Sequence, residues 1–230
     1  MRKTELNGWW KIGIPLVVPV VRLLFRVRVE GSRNIPATGG AILAFNHVSV
    51  LDGPVLAAEI AARSRRELCF LVASEVNDHP IFGPIMRGFD QIFIHRGTGD
   101  SHALDLAIQT VREGALAALA PEGRVADDSA PGAATGELQR IRSGVARISL
   151  PAHAPVIPVG VWGTQARWPS SGLIRSRLFS RTPLAIVLGP AVYPHPTGDN
   201  PADIKVLRDQ VRSALTIQVA RARALAGDLA

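Results

Sequence analysis

Short apolar segments bounded by glycine, proline or polar residues recur along the 230-residue chain, with longer segments between them. The short segments are typical of buried strands, and the longer ones of helices that cover a sheet. Strands are predicted at residues 27–31, 41–45, 68–73, 89–94, 115–120, 156–161 and 184–188. Helices are predicted at 51–63, 80–88, 101–113 and 138–150 and from Pro201 onwards, with a loop at 124–137. This alternation predicts an α/β fold, a single domain whose central mixed, mostly parallel sheet is covered by helices.

The N-terminal part of the chain has a different pattern. Residues 12–25 form an apolar run in which Arg22 is the one charged residue. The run is shorter than the ~20 residues a spanning helix needs, and two prolines interrupt it. Tryptophan and basic residues flank it, as in segments that lie at the headgroup boundary: Trp9, Trp10, Lys11, Arg26 and Arg28. We therefore predict a membrane-contacting helical segment at residues 1–26 before a catalytic domain at 27–230; the alternative is a helix packed on the core.

Composition excludes a disordered chain, because 47% of the residues are hydrophobic and the mean hydropathy is +0.18. The chain has one cysteine, Cys69, so it has no intrachain disulfide and no cysteine-rich metal site. Cys69 stands within an apolar run, where we expect it to be a small buried hydrophobic residue.

The charge is strongly basic, with 26 Lys and Arg against 19 Asp and Glu, a net charge of +7 and a pI near 10.8. No acidic residue occurs from 138 to 198, a stretch that contains Arg140, Arg142, Arg147, Arg167, Arg175, Arg177 and Arg181. Partners should therefore be anionic, such as a membrane surface or a phosphorylated small molecule. Aromatic residues make up only 5% of the chain and do not interleave with the basic ones, so we predict no nucleic-acid partner.

A candidate catalytic pair follows the strand predicted at 41–45. His47 lies just past the strand, and Asp52 lies five residues on, at the start of a predicted helix. This spacing can place the carboxylate on one ring nitrogen of the histidine and leave the other free as a general base. The alternative is a helix-capping aspartate beside a hydrogen-bonded histidine.

Two other predicted strands also end in charged residues. Arg96 follows the strand at 89–94, and Glu122, Gly123 and Arg124 follow the strand at 115–120. Residues just beyond the carboxyl ends of strands converge on the ligand site of an α/β sheet. We therefore expect these side chains to form a site for an anionic acceptor.

Four motifs in order, between residues 27 and 163, resemble those of the glycerolipid acyltransferases typified by bacterial lysophosphatidic acid acyltransferase. The first, Asn-His, four residues, Asp, is complete at Asn46, His47 and Asp52. The second, Phe-Ile-x-Arg, is complete at 93–96, and the fourth matches at 155–158.

The third motif departs from the pattern of the family. The family has Phe-Pro-Glu-Gly-Thr-Arg, whereas residues 120–125 read Ala-Pro-Glu-Gly-Arg-Val. Arg124 therefore stands where the family has Thr, and Val125 stands where it has Arg. Whether Arg124 takes over the role of that arginine is left open by the sequence.

The resemblance implies transfer of a fatty acyl group from acyl-CoA or acyl carrier protein to a lysophospholipid, foremost lysophosphatidic acid giving phosphatidic acid. His47 would be the general base and Asp52 would orient it. Arg96 would bind the acceptor phosphate, with Arg124 as a second contact, while Glu122 and Gly123 would shape the acceptor pocket. No metal or cofactor is expected beyond the acyl donor as co-substrate. The expected location is the cytoplasmic face of the cell membrane, with the protein peripheral or monotopic.

Three other functions fit the same residues. The acceptor could be a lyso-aminolipid, glycerol 3-phosphate or a glycolipid, because the altered third motif lies where the acceptor is expected. Water could replace the acceptor, which would make the protein an acyl-CoA thioesterase. A non-catalytic membrane-binding module is the third alternative, and the intact His47–Asp52 pair argues against it.

Overall fold

The computed structural model describes residues 6–127, 136–172, 180–195 and 200–229. The strands in these ranges are β1 Phe25–Glu30, β2 Ala41–Phe45, β3 Leu68–Ala73, β4 Ile92–Ile94, β5 Leu116–Leu119, β6 Val156–Trp162 and β7 Thr182–Leu188. The helices are α1 Gly8–Leu24, α2 Asp52–Ser64, α3 Phe82–Gly88, α4 Ser101–Arg112, α5 Gly144–Ala152 and α6 Pro201–Gly227. Single 3-10 turns lie at Ser32–Asn34, Ser74–Val76 and Thr164–Ala166.

The strands form one sheet in the order β1-β7-β6-β2-β5-β3-β4. All neighbouring pairs are parallel except β6 and β7, which run antiparallel. The predicted α/β fold with a mixed, mostly parallel sheet is therefore confirmed. Because β2 lies between β5 and β6, the carboxyl ends of these three strands emerge side by side at one edge of the sheet.

Helices cover both faces of this sheet. On one face, α1 and α2 bury apolar side chains against the strands, among them Trp10, Val18, Leu56 and Ile60. On the other, α4, α5 and α6 do the same with Val111, Ile148 and Val211, and Cys69 lies buried in this layer as expected. The strands of the middle of the sheet are thus covered on both sides, which explains their nearly continuous apolar sequences.

β4 is shorter than the strand predicted at 89–94. Asp90 adopts a left-handed conformation with φ 56°, which breaks the extended backbone before Ile92. The Gln91 side chain then takes the place of a strand neighbour, accepting from Phe70 N at 2.6 Å and donating to Leu68 O at 3.2 Å. Sequence periodicity does not detect an amide side chain that substitutes for backbone pairing.

The helix predicted at 138–150 was wrong at its start, because α5 begins only at Gly144. The backbone N–H groups of Gln139 and Arg142 bond to the turn after β5 instead, reaching Glu122 Oε2 at 3.0 Å and Pro121 O at 2.7 Å. These tertiary hydrogen bonds hold the segment outside the helix and against the site described below. Of the loop predicted at 124–137, residues 128–135 lie outside the described residues.

The N-terminal apolar run forms α1, which ends at Leu24, and Phe25 already belongs to β1. Trp10, Val18 and Val21 on one side of α1 are buried. Other apolar side chains of α1 are exposed to solvent: Trp9, Ile12, Leu16, Val17, Val20 and Leu23. No helix within the described residues combines the length and the apolar character needed to cross a bilayer.

Candidate active site

The predicted His47–Asp52 pair lies at the carboxyl end of β2. β2 ends at Phe45 and α2 begins at Asp52. His47 therefore lies in the short loop that joins this strand to this helix. The His47 Nδ1 and Asp52 Oδ2 atoms are 2.9 Å apart. The imidazole is 23% exposed, whereas the Asp52 side chain is fully buried. Because a carboxylate only accepts, the proton is assigned to Nδ1, and Nε2 is left as the basic nitrogen.

From residues that the structure describes, the Asp52 carboxylate accepts four hydrogen bonds. Oδ2 also accepts from the backbone N–H groups of Val48 and Ser49, each at 2.8 Å. Oδ1 accepts from the Thr164 hydroxyl at 2.5 Å. Four donors satisfy a carboxylate that would be costly to bury unpaired, and its place in the first turn of α2 favours a negative charge. Asp52 is the first residue of α2, and its backbone donors lie in the loop before the helix rather than in the helix, so it holds the loop and contacts the histidine without capping α2.

Asn46 ties the histidine loop to the neighbouring strand. Its side-chain Nδ2 donates to Val161 O at 3.0 Å, and its Oδ1 accepts from Val161 N at 2.7 Å. The asparagine amide thereby extends the β2–β6 pairing by one step beyond Phe45. This fixes the point from which the backbone turns to present His47, and it gives the first position of the motif a structural role.

The turn after β5 holds the backbone of His47 from the other side. Glu122 Oε1 accepts from His47 N at 3.1 Å, and the carbonyl of His47 accepts from Ala126 N at 2.6 Å. Burial raises the pKa of the Glu122 carboxyl, while the hydrogen bonds from the backbone of His47 and Gln139 act in the opposite direction. Glu122 is therefore buried and holds the backbone of His47 through this hydrogen bond.

Of the predicted anion-binding arginines, Arg96 reaches the Glu122–Gly123 turn. Its Nη1 donates to Gly123 O at 3.3 Å, and its Nη2 lies 3.9 Å from Glu75 Oε2. Arg124 is exposed and turns to Gln139, with Nε 3.0 Å from Oε1. The two arginines therefore flank the turn without sharing a partner.

A third arginine at this turn, Arg142, was not singled out by the sequence. Gly123 has φ +75°, a conformation that favours glycine, and a Cβ atom there would lie 3.0 Å from Arg142 Nε, so the Arg142 side chain packs closely on this turn. Arg142 is exposed, and its guanidinium has no hydrogen-bonded or ion-paired partner within the described residues. Its only sequence signal was membership of the acid-free stretch from 138 to 198. Arg175 and Arg177 of that stretch lie outside the described residues.

The chain contains a second His–Asp pair with the same five-residue spacing. His95 Nδ1 lies 3.1 Å from Asp100 Oδ2, but His95 is 71% exposed. Asp100 caps α4 by accepting from Ala103 N, and hydrogen bonds from the His95 and Ala103 backbone lower its pKa to about 2. This pair stabilises a surface turn. Spacing alone therefore does not distinguish the two pairs; burial does, because His47 is 23% exposed and Asp52 fully buried.

Across residues 6–127, 136–172, 180–195 and 200–229, no three His, Cys, Asp or Glu side chains are grouped so as to hold a metal ion. The fourth motif contributes no charged side chain either. It forms the start of β6 and the turn before it, and Pro155 O accepts from Ile42 N at 2.9 Å. Its contribution is to place β6 beside β2, which allows Asn46 to reach Val161.

Comparison with known proteins identifies the family. The Acyltransferase family model matches residues 26–162, more than half of the chain. The chain belongs to the acyltransferase family. The matched region contains β1 to β6 and the residues His47, Asp52, Arg96 and Arg142 described above.

Mycobacterial proteins are among the relatives of this acyltransferase-family chain. Uncharacterized protein ML2427 of Mycobacterium leprae is 32% identical over 88% of this chain and 61% of its own length. Uncharacterized protein Mb0514 of Mycobacterium bovis is 30% identical over 92% of this chain and 66% of its own length. The chain therefore spans less than two thirds of the length of these curated relatives.

A solved structure has the same fold. The 1-acyl-sn-glycerophosphate (LPA) acyltransferase PlsC from Thermotoga maritima superposes with a TM-score of 0.67 and 23% sequence identity. The match covers 90% of this chain and 78% of that one. At this identity, the likeness establishes the fold alone.

Proposed function

We propose that this acyltransferase-family protein transfers a fatty acyl group from acyl-CoA or acyl carrier protein to the free hydroxyl of a lysophospholipid. The first acceptor to consider is lysophosphatidic acid, which would give phosphatidic acid. The observation that carries the proposal is the His47–Asp52 pair, whose carboxylate is buried and whose imidazole is accessible, close to a turn flanked by arginines.

The chemistry follows from the basic Nε2 of His47. The acceptor hydroxyl oxygen attacks the thioester carbonyl carbon while Nε2 takes the hydroxyl proton. The C–S bond then breaks, and the proton on His47 passes to the departing thiolate. Asp52 stabilises the transient imidazolium through its contact with Nδ1, as the carboxylate does in other His–Asp pairs. The acceptor itself supplies the nucleophile, so this route needs no acyl-enzyme, metal or bound cofactor.

An anionic group on the acceptor would be bound by the arginines at Gly123. Arg96 donates to the carbonyl of this residue, and a Cβ atom added to it would lie 3.0 Å from Arg142 Nε, so both arginines reach the same turn. Guanidinium groups suit phosphate because they offer paired donors at fixed geometry. Arg142 would supply the second cation that the altered third motif lacks. Arg124 is the third arginine near this turn, and it is hydrogen-bonded to Gln139.

Because the third motif is altered, acceptors other than lysophosphatidic acid are also candidates. Arg124 is hydrogen-bonded to Gln139, and Val125 is apolar where the family has an arginine. This arrangement favours testing glycerol 3-phosphate, a lyso-aminolipid and a glycolipid beside lysophosphatidic acid. The His47–Asp52 chemistry is the same for each hydroxyl, and only the binding of the rest of the acceptor differs.

We further propose that the protein acts at the cytoplasmic face of a membrane, held there by α1. One side of α1 packs on the domain, while the opposite side exposes Ile12, Leu16 and Leu23, each more than 60% exposed. Exposed basic residues lie on or next to the same helix, with Lys11 near its start and Arg26 just past its end. An apolar helix face bordered by cations is typical of segments that lie in the interface of an anionic bilayer.

Replacing His47 by Ala should reduce acceptor-dependent release of CoA from an acyl-CoA by about 10²–10⁴-fold, the range general-base catalysis supplies. The measurement is thiol release by purified protein in detergent, with and without lysophosphatidic acid, and the acceptor panel run alongside. His95→Ala is the matched control, because it disrupts the surface His–Asp pair, and it should leave the rate unchanged. Equal release without any acceptor would indicate a thioesterase, and activity retained in His47→Ala would remove the proposed base.

Replacing Arg142 by Ala should raise the KM for lysophosphatidic acid by about 10- to 100-fold, because charge-assisted hydrogen bonds contribute about 1.5–3 kcal/mol. The KM for a monoacylglycerol, which has the hydroxyls but no phosphate, should not change. Arg147→Ala on α5 is the matched control, since Arg147 is exposed and hydrogen-bonded to Ser143. A rise in KM that is equal for both acceptors would contradict phosphate binding by Arg142.

Replacing Ile12, Leu16 and Leu23 together by Gln should abolish most of the binding to vesicles of mixed zwitterionic and anionic phospholipid, measured by flotation. The control variant carries Gln at Val206 and Ile217, which are exposed apolar residues of α6. It should bind as the unsubstituted protein does. Similar flotation of the two variants would show that α1 is not the membrane contact.

A further inference from the structure

We infer that Thr164 is a positioning residue for the His47–Asp52 pair, an inference that rests on the proposed function. Thr164 lies in the 3-10 turn that follows β6, just beyond residues 26–162 that the family model matches. It belongs to none of the four motifs, and no sequence pattern pointed to it. Its assignment comes from the geometry alone.

The contact between Thr164 and Asp52 is short and completely enclosed. The Thr164 hydroxyl donates to Asp52 Oδ1 at 2.5 Å, and both residues have 0% exposure. In the described part of the chain, this hydroxyl is the one donor to Oδ1, whereas Oδ2 receives the ring of His47 and two backbone N–H groups. Thr164 thus fixes the second oxygen of the carboxylate, and with it the plane in which Oδ2 meets Nδ1.

A second contact from the same segment holds the loop between the two catalytic candidates. The Ser49 hydroxyl donates to Trp168 O at 2.6 Å and accepts from Leu51 N at 3.1 Å. The loop that carries His47 is therefore attached at two points, Asp52 and Ser49, to residues 164–168. Ser49 is fully buried in this role.

The segment that carries Thr164 is itself held in place. Arg167 is buried, donates to Leu24 O at 2.9 Å and also bonds to Ser180 O. Gly163 has φ +118°, and a Cβ atom there would lie 2.0 Å from Pro183 O, so the turn lies directly on β7. Because this turn is held in place, the Thr164 hydroxyl can determine the orientation of the Asp52 carboxylate.

The test compares Thr164→Val, which removes the hydroxyl while keeping the shape, with Thr164→Ser, which keeps the hydroxyl. Thr110→Val on α4 is the matched control, because Thr110 is also buried but lies away from the site. We expect kcat of Thr164→Val to fall by about 10- to 100-fold, a part of the 10²–10⁴-fold that general-base catalysis supplies. KM for donor and acceptor should stay within about twofold, since neither substrate touches Thr164. Thr164→Ser and Thr110→Val should retain most of the activity.

A readout independent of turnover separates this inference from the proposed function. The proton on His47 Nδ1 gives a downfield ¹H NMR resonance, assigned by its loss in His47→Ala. We expect this resonance to shift or broaden in Thr164→Val and to be kept in Thr164→Ser and Thr110→Val. An unchanged resonance in Thr164→Val, or an activity loss that Thr164→Ser shares, would overturn the positioning role. Absence of acyl transfer in the unsubstituted protein would overturn the proposed function alone, and the resonance would then decide the inference about Thr164.

Discussion

The buried carboxylate of Asp52 is the constraint on which the candidate site depends. A carboxylate with no exposure requires donors for its lone pairs, and each donor here comes from a segment that must be correctly placed. Two are backbone groups of the loop after β2, one is the ring of His47 and one is the hydroxyl of Thr164. The Asp52 carboxylate can accept these four hydrogen bonds only when the three segments are correctly placed. These are the loop after β2, the ring of His47 and the turn after β6.

The sheet topology brings these segments together. Because β2 lies between β5 and β6, the turn after β5 reaches the backbone of His47 from one side and the turn after β6 reaches Asp52 from the other. The extended segment before α5 then packs on the turn after β5 and delivers Arg142 beside Gly123. The topology therefore brings a histidine from the end of one strand close to arginines at the end of the next, an arrangement that fits the proposed transfer of an acyl group to an anionic hydroxyl compound.

The sequence predicted those parts of the structure that depend on local pattern. The strands and the His47–Asp52 pair were predictable, since apolar segments and a five-residue spacing are visible without tertiary information. The contact of Glu122 with the backbone of His47 was not, because a Glu-Gly turn specifies no partner. Arg142 lay in the first part of a predicted helix, which tertiary hydrogen bonds hold outside α5. Thr164 belongs to no motif. It is 112 residues from Asp52 along the chain, and only the fold brings the two side chains together.

The most direct test of the central claim is acceptor-dependent thiol release by Asp52→Asn beside the unsubstituted protein, with thermal unfolding measured on the same samples. The asparagine keeps the size of the side chain but removes the negative charge and one acceptor, so the ring of His47 loses its orienting and stabilising partner. We expect kcat to fall at least about 100-fold while the protein remains folded. A folded Asp52→Asn variant with kcat near that of the unsubstituted protein would contradict it.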